Sequence, residues 1–391
     1  MNYYIIPKNN FDIKIDLQLT NNKIKPCISY SLIYYLNDIY KQLFNLNNNN
    51  NNSNNNNNNT DSDDEITIEF INKIVNPFEF IHTNVPGSII SVSEVRPDAN
   101  IFFELMEIFQ LFNVNEVLSL KHKINIAHLT PNYSSTNYLL NMIREDNDDT
   151  IICEDFIYDN LYKLFIKNTL EQKIDLFICE FQPNEYNDTN QYINNMLLVL
   201  LIIIKHQSNQ GTCVIKIDNI FYKAIIDILF LLSAIYDKFY LVKPSISNVT
   251  KGERYIICKG FNSRILEQTK LQNQIEDKIL SKFVDPSFSL LNNNTYLESI
   301  IKNEIPYYFL NKLEESNAVI GQQQLEAYDQ IINIYKNKNR EEKIEILKRN
   351  HIQKCIQWCE KNQLPHNKFI DKVNIFLTPK KNELDDEQET L

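Results

Sequence analysis

The stretch MLLVLLIIIKHQSNQGTCVIKIDNIFYKAIIDILFLLSAIYDKFYLVK, residues 196–243, carries the main fold signal because long and short apolar runs alternate along it. The runs at 212–217 and 238–243 are short and contain Val, Ile, Phe and Tyr, which favours β-strands. The apolar runs before and between them are long enough to be buried helices. Nearly continuous apolar strands that alternate with helices are typical of a parallel sheet covered on both faces. This stretch therefore predicts an α/β fold.

The same alternation extends upstream and downstream of this stretch. The sequence predicts further helices at 99–113, 135–145, 158–170, 190–207 and 219–235, and further strands at 124–129, 150–155, 174–181 and 254–260. The strands at 238–243 and 254–260 follow each other without a helix, so we expect them to form an antiparallel hairpin at one edge of the sheet. Residues 66–261 are thus predicted to form a Rossmann-like sheet with helices on both faces.

The remaining segments differ in composition from this predicted domain. Residues 1–44 contain one strand-like and one helix-like segment, and residues 45–65 are dominated by Asn, which predicts a disordered linker. Residues 262–378 show only helical patterns, which indicates a separate helical domain. Residues 379–391 form an acidic tail that we expect to be disordered.

Charge and hydropathy exclude several classes of function. The formal charge of −11 argues against a general nucleic-acid coat and leaves only local basic patches for such a role. No signal peptide is predicted at the start, and the apolar run at 196–205 is too short to cross a bilayer. Four Cys lie in strand-like apolar runs and are interpreted as buried, reduced thiols: Cys153, Cys179, Cys213 and Cys258. A reducing compartment such as the cytoplasm is therefore expected.

Two sequence blocks carry a resemblance to a known family. GTCVIKIDNIF, residues 211–221, and KPSISNVTKGERYIICKGF, residues 243–261, resemble two motifs of the FtsJ-like family in order and spacing. That family comprises RNA 2′-O-methyltransferases that use S-adenosylmethionine. The resemblance covers about residues 85–261. The rest of the chain resembles proteins of large AT-rich DNA viruses in its arrangement, so a viral factory or virion is a further expected location.

The resemblance implies a set of catalytic residues. The family uses a Lys-Asp-Lys-Glu tetrad, whose third and fourth members match Lys216 and Glu253. The second member matches Glu180, at the end of DLFICE, and the first matches Glu104, in ANIFFELMEI. Two further residues of the second block, Lys243 and Ser247, are predicted to contact the substrate.

Three carboxylates and one lysine would alter the charge of such a site. The family's tetrad is formally neutral, whereas this set carries −2 if the side chains converge. At about 4 Å and an effective dielectric constant near 20, each charge contact amounts to about 4 kcal/mol. Lys216 would then be held as the ammonium and lost as a base, unless Arg96 or another cation compensates. For Glu104, a solvated position on a helix surface is the alternative.

The predicted cofactor loop also departs from the family. The family has a glycine turn after its first strand, where the backbone approaches the methionine end of the cofactor. In IAHLTPNYSST, residues 126–136, Pro131 is present, but Asn132 and Tyr133 stand in the glycine places. Asp155 is the candidate contact to the adenine. We therefore expect weak or undetectable binding of S-adenosylmethionine.

Three functions remain open at this stage. The first is an RNA ribose 2′-O-methyltransferase acting on the mRNA cap, and the second is a degenerate, inactive relative that binds RNA or a protein partner. The third is a scaffold that keeps only the sheet. A net charge of +5 over residues 331–372 could face RNA or a partner, with the helical C-terminal domain as the partner-binding part. No membrane partner is expected.

One cluster of potential metal ligands has a simpler interpretation. His351, Cys355 and Cys359 recur at a spacing of four residues, with His366 nearby. Zinc accepts such ligands. The same spacing is the apolar face of a helix, and no paired Cys-x-x-Cys supports a metal site. We therefore predict a core face and no metal.

Overall fold

A computed structural model describes most of the chain. The described residues are 2–9, 12–54, 67–114, 123–129, 131–144, 149–154, 173–181, 188–280, 295–337 and 341–369. The predicted helix at 158–170, the candidate Asp155, residues 55–65 of the predicted linker and the acidic tail at 379–391 lie outside these residues.

The described residues contain the strands β1 (Asn2–Ile6), β2 (Ile15–Thr20), β3 (Asn125–Leu129), β4 (Thr150–Glu154), β5 (Ile174–Glu180), β6 (Gln207–Ile217), β7 (Tyr236–Lys243), β8 (Arg254–Phe261) and β9 (Tyr296–Ile301). Seven of them form a mixed sheet at the centre of the fold, in the order β1-β7-β8-β6-β5-β3-β4. The other two form a second sheet, β2-β9. Neighbours among β3, β4, β5 and β6 pair in parallel, whereas β8 pairs antiparallel with both β6 and β7. The α/β prediction is confirmed.

The helices cover both faces of the large sheet. They are α1 (Tyr30–Asn54), α2 (Ile68–Val75), α3 (Ile101–Leu111), α4 (Tyr133–Ile143), α5 (Thr189–His206), α6 (Lys223–Ile235), α7 (Ser263–Gln268), α8 (Leu271–Ile275), α9 (Tyr307–Lys336) and α10 (Glu341–Lys361). One face packs on α5 and α6, whose apolar residues are buried all round, and the other packs on α3, α4 and α10. A helix that is apolar on all sides belongs in the interior, which is why α5 and α6 lie between the two sheets.

The edge of the large sheet differs from the prediction. The antiparallel pair β7–β8 is confirmed, but β8 lies inside the sheet between β6 and β7. The edge is formed by β1, which pairs antiparallel with β7 from Asn2↔Lys243 to Ile6↔Phe239. Two strands of the N-terminal segment thus pair with later parts of the chain, β1 with β7 and β2 with β9.

The C-terminal region also departs from an all-helical pattern. Residues 296–301 form β9, which pairs with β2, and its apolar residues belong to the same core as α5 and α6. The β-branched Ile300 and Ile301 suit a strand, and Pro306 separates them from α9. Helix α9 packs its Phe309 and Leu313 into that core as well, so the region shares its core with the sheet.

Two smaller expectations can also be compared with the structure. Helix α1 continues to Asn54, so the described part of the predicted linker is helical, because extending an existing helix costs much less than nucleating one. Cys179, Cys213 and Cys258 are buried as predicted, whereas Cys153 is exposed because β4 is an edge strand.

The predicted core face of the C-terminal helix is confirmed. His351, Cys355 and Cys359 on α10 are buried, and both Cys belong to the core under the sheet. In the part of the chain that the structure describes, no group of three His, Cys, Asp or Glu side chains could hold a metal ion. Within the same residues, no helix has the length and apolar character needed to cross a bilayer.

Candidate functional site

Three neighbouring strands align polar side chains in one row, at the end of the sheet where the parallel strands β5 and β6 finish. Glu180, the last residue of β5, lies opposite Lys216 of β6, and Lys216 lies opposite Tyr255 of β8. Residues that are directly opposite in a sheet point to the same face. Since Glu180 and Lys216 stand at the carboxyl ends of parallel strands, the row lies where open α/β sheets bind their ligands.

Helix α3 packs over this row of side chains. Its apolar residues pack against the sheet face that carries Val214 and Ile257, and this packing buries Glu104 in the first helical turn to 2 % exposure. The Nζ atom of Lys216 lies 3.0 Å from Glu104 Oε2, 3.2 Å from Glu180 Oε1 and 3.4 Å from Glu253 Oε2. We call these four residues the Lys216 cluster. The four side chains therefore converge, as the charge argument assumed, and the alternative of a solvated Glu104 is wrong.

Every carboxylate oxygen of the Lys216 cluster has a partner. Beyond the three contacts with Lys216, Ser247 donates to Glu104 Oε1 at 2.8 Å, Asn132 donates to Glu180 Oε2 at 2.9 Å, and Lys251 lies 3.3 Å from Glu253 Oε1. Tyr255 donates a second bond to Glu104 Oε2 at 2.5 Å. The cluster is therefore closed by protein donors on all three carboxylates.

The electrostatics of the cluster fix the charge of Lys216. Burial lowers the pKa of Lys216, but the carboxylates of Glu104, Glu180 and Glu253 together raise it well above 10.5. For Glu253, burial raises the pKa, while Lys216 and Lys251 lower it below 4.5 overall. At neutral pH the cluster consequently contains an ammonium group and an ionised Glu253.

The loop between β7 and β8 presents Glu253 and is held by a buried lysine. Lys243 Nζ donates to the backbone oxygens of Asn248 at 3.1 Å, Lys251 at 2.6 Å and Glu253 at 3.2 Å. Burial and Arg254 lower the pKa of Lys243 to about 7. In the structure both Lys243 and Ser247 thus bond to groups of the protein itself. Their contact with a substrate stays a prediction.

Helix α9 holds the same loop through hydrogen bonds to its backbone and to Arg254. Gln324 and Tyr328 donate to the backbone oxygen of Thr250 at 3.1 Å and 2.8 Å. The buried Arg254 donates to Asn317 Oδ1 at 2.8 Å and to Ser316 Oγ at 3.1 Å. Sequence reasoning missed these supports, because they lie more than sixty positions away along the chain and match no motif.

The region after β3 is where the family would hold its cofactor. Asn132 precedes the first turn of α4, and its side-chain amide is bonded to Glu180. Tyr133 begins α4 and is about half exposed, whereas the candidate Asp155 lies outside the described residues. A close backbone approach needs a position without a side chain, and here the Asn132 side chain fills the space beside Glu180. The described residues therefore do not fit the methionine end of S-adenosylmethionine as the family's glycine turn would.

A cation other than the expected Arg96 partly compensates the extra carboxylate, Glu104. Arg96 is exposed on the segment before α3, whereas Lys251 lies beside Glu253. The four cluster residues and Lys251 carry a formal charge of −1, from three carboxylates and two ammonium groups. The position of Lys251, two residues before Glu253, was the available sequence signal.

Comparison with known proteins identifies the same part of the chain. Residues 134–261 match the family model described as FtsJ-like methyltransferase. The chain is 31% identical over 198 residues to the cap-specific mRNA (nucleoside-2′-O-)-methyltransferase 1 of Dictyostelium discoideum, a match that covers 48% of this chain and 24% of that protein. An uncharacterized protein of Acanthamoeba polyphaga mimivirus is 26% identical over 254 residues, covering 60% of this chain and 63% of its own length.

A solved structure described as a ribosomal RNA methyltransferase from Plasmodium falciparum has a TM-score of 0.32 and 16% identity to this chain. The match covers 42% of this chain and 97% of that one. The matches thus span about a quarter and somewhat under two thirds of the two sequence relatives. The mimivirus relative confirms the expected resemblance to proteins of large DNA viruses. Residues 134–261, which contain Lys216 and Glu253, thus match the model of the FtsJ-like methyltransferase family.

Proposed function

We propose that this chain is a non-catalytic member of the FtsJ-like methyltransferase family that binds RNA. The observation that supports the proposal is the closed Lys216 cluster, in which one ammonium group faces three carboxylates within 3.4 Å. A lysine ammonium has three N–H donors and no acceptor. Each donor of Lys216 thus has a carboxylate to bond.

Methyl transfer to a ribose hydroxyl needs an acceptor for the hydroxyl proton and room for an in-line approach. Lys216 cannot accept that proton while its carboxylate neighbours hold its pKa well above 10.5. The carboxylates themselves are occupied by Ser247, Asn132, Tyr255 and the two lysines. A ribose hydroxyl would have to displace one of these donors before it could reach a carboxylate of the cluster.

RNA is the proposed ligand because the relative from Dictyostelium discoideum is named for its action on capped mRNA. A second candidate function, 2′-O-methyl transfer to the cap ribose, is favoured by one observation. Lys216 and Glu253 lie 3.4 Å apart at the positions that match the family's third and fourth tetrad members. The two candidates differ in their need for S-adenosylmethionine.

Binding of S-adenosylmethionine is expected to be undetectable or weaker than a dissociation constant of about 1 mM, which corresponds to about −4 kcal/mol. The reason is the Asn132 side chain, which is bonded to Glu180 where a glycine turn would admit the cofactor. Isothermal titration calorimetry of the full chain measures this directly. A parallel titration with single-stranded RNA tests the proposed ligand.

Two outcomes of these titrations would count against the proposal. A dissociation constant in the low micromolar range for S-adenosylmethionine would favour the second candidate function, methyl transfer. Absence of RNA binding by the folded wild type would remove the proposed ligand.

A further inference from the structure

A groove on the face opposite α5 and α6 lies away from the Lys216 cluster. It has a volume of about 530 Å³ and runs between the loop at 85–90 and helix α10. Its lining includes Lys348, Arg349 and Lys368, together with Pro86 and Phe369. We call it the basic groove.

The walls of the basic groove are fixed by backbone hydrogen bonds. Val85 N donates to Ile90 O at 3.0 Å, which closes the loop around Gly87, a residue with φ of +80°. On the other side, Glu94 N donates to Pro365 O at 3.1 Å and Asn367 N donates to Val92 O at 2.8 Å. The segment that carries Lys368 and Phe369 is therefore tied to the segment that follows the loop.

The groove is positively charged, whereas the chain as a whole is negatively charged. Its lining has three cations and one carboxylate, and Lys348 bonds to that carboxylate, Glu345, at 2.9 Å. Arg349 and Lys368 are exposed and give the groove a net charge of +2, on a chain whose formal charge is −11. Positive side chains bind the phosphates of a nucleic-acid backbone, and an aromatic ring beside them can stack on a base.

We propose that the basic groove binds single-stranded RNA, with backbone phosphates on Arg349 and Lys368 and a base against Phe369. The groove suits a single strand because an unstacked base can reach an aromatic ring, whereas a duplex hides its base faces. The inference rests on the proposed RNA-binding function and locates it. In this arrangement the RNA binds away from the Lys216 cluster, whose net negative charge repels phosphates.

The test uses fluorescence anisotropy of a labelled single-stranded oligoribonucleotide with the full chain at several salt concentrations. The double variant Arg349→Glu/Lys368→Glu is expected to bind at least about tenfold more weakly than wild type. Loss of two phosphate contacts should also reduce the slope of log affinity against log salt by about 1.4, at roughly 0.7 per contact. The matched control is Lys354→Glu/Lys361→Glu, which reverses two exposed charges of α10 outside the groove lining and should bind within about threefold of wild type.

A third variant tests the aromatic contact. Phe369→Ala is expected to weaken RNA binding about 5- to 100-fold without a change in the salt slope, since base stacking does not release counterions. Circular dichroism of each variant shows whether it is folded.

Several outcomes would overturn the inference. If the groove variant binds RNA as tightly as wild type, or more tightly, the groove has another occupant, such as the chain's own acidic residues 379–391 or a protein. Equal losses in the groove and control variants would show a diffuse charge effect. A wild type that binds no RNA would contradict the proposed function itself, whereas a binding wild type with an unaffected groove variant contradicts the groove alone.

Discussion

Replacement of Lys216 by Met is expected to lower the free energy of unfolding by about 3–5 kcal/mol at neutral pH, because it removes one partner from a buried ion cluster. Three carboxylates would then face one another with no central cation, and Glu104 is almost fully buried. Urea denaturation followed by circular dichroism measures the difference. The matched control is Lys251→Met, since the same Glu253 also pairs with Lys251, whose side chain is 54% exposed. That exposed pair should contribute about 1 kcal/mol or less.

The difference in the free energy of unfolding between wild type and Lys216→Met should depend on pH. In the wild type, the raised pKa of Lys216 keeps its contribution to stability complete below pH 10.5, and the contribution is lost as pH rises through the folded value. The lowered pKa of Glu253 gives a contribution that is present above pH 4.5 and lost as pH falls through the folded value. The gap between wild type and Lys216→Met should therefore be widest near neutral pH and should narrow below pH 4.5. A gap that stays constant between pH 7 and pH 3 would contradict an ionic origin.

Replacement of Asp227 by Ala is expected to destabilise the fold by about 3–5 kcal/mol, again because a buried charge network loses one partner. Asp227 lies on α6 and pairs with Lys223 one turn earlier. Its second oxygen accepts from Ser299 Oγ at 2.8 Å and from the backbone N–H of Ile300 at 2.8 Å and Ile301 at 3.3 Å. The substitution would remove this buried acceptor from the backbone N–H groups of Ile300 and Ile301, whereas the Ser299 hydroxyl keeps the backbone oxygen of Ile301 as an acceptor.

The control for this variant is Asp237→Ala on strand β7 of the large sheet. Asp237 pairs with Lys8 at 2.8 Å, but both side chains are more than a third exposed, so the cost should be about 1 kcal/mol or less. Thermal unfolding of the two variants would separate them. Equal melting temperatures for Asp227→Ala and Asp237→Ala would contradict the description of β9 as anchored by a buried carboxylate.

The parts of the site that sequence reasoning predicted are those set by strand register. Glu180 and Lys216 lie at the carboxyl ends of two adjacent parallel strands. Glu253 precedes β8, which runs antiparallel to β6, so it lies at the same end of the sheet. The burial of Glu104 could also have been inferred. IFFELMEIFQL is apolar on nearly every side, and a helix of that kind is buried together with its carboxylates. A glutamate considered alone instead suggests a solvated position.

The features that sequence reasoning missed depend on contacts between distant segments. Strand β1 is only five residues long and pairs with β7, more than two hundred positions away. Strand β9 lies in a segment with helix-like polar spacing, and Asp227 supplies its missing backbone partners only in the folded chain. The bonds from α9 to Thr250 are of the same kind. Local propensity carries no information about such pairings, because tertiary context decides them.

The central claim, that the closed Lys216 cluster cannot support methyl transfer, is tested most directly by methyl incorporation into capped RNA. Wild type and Lys216→Arg would be incubated with S-adenosylmethionine labelled in its methyl group, and the RNA would be counted and its ribose 2′ position analysed. Arg keeps the positive charge within the cluster and cannot act as a base, so the variant isolates proton transfer. The account predicts incorporation at the level of a protein-free control for both proteins. Incorporation by wild type that disappears in a folded Lys216→Arg variant would contradict it.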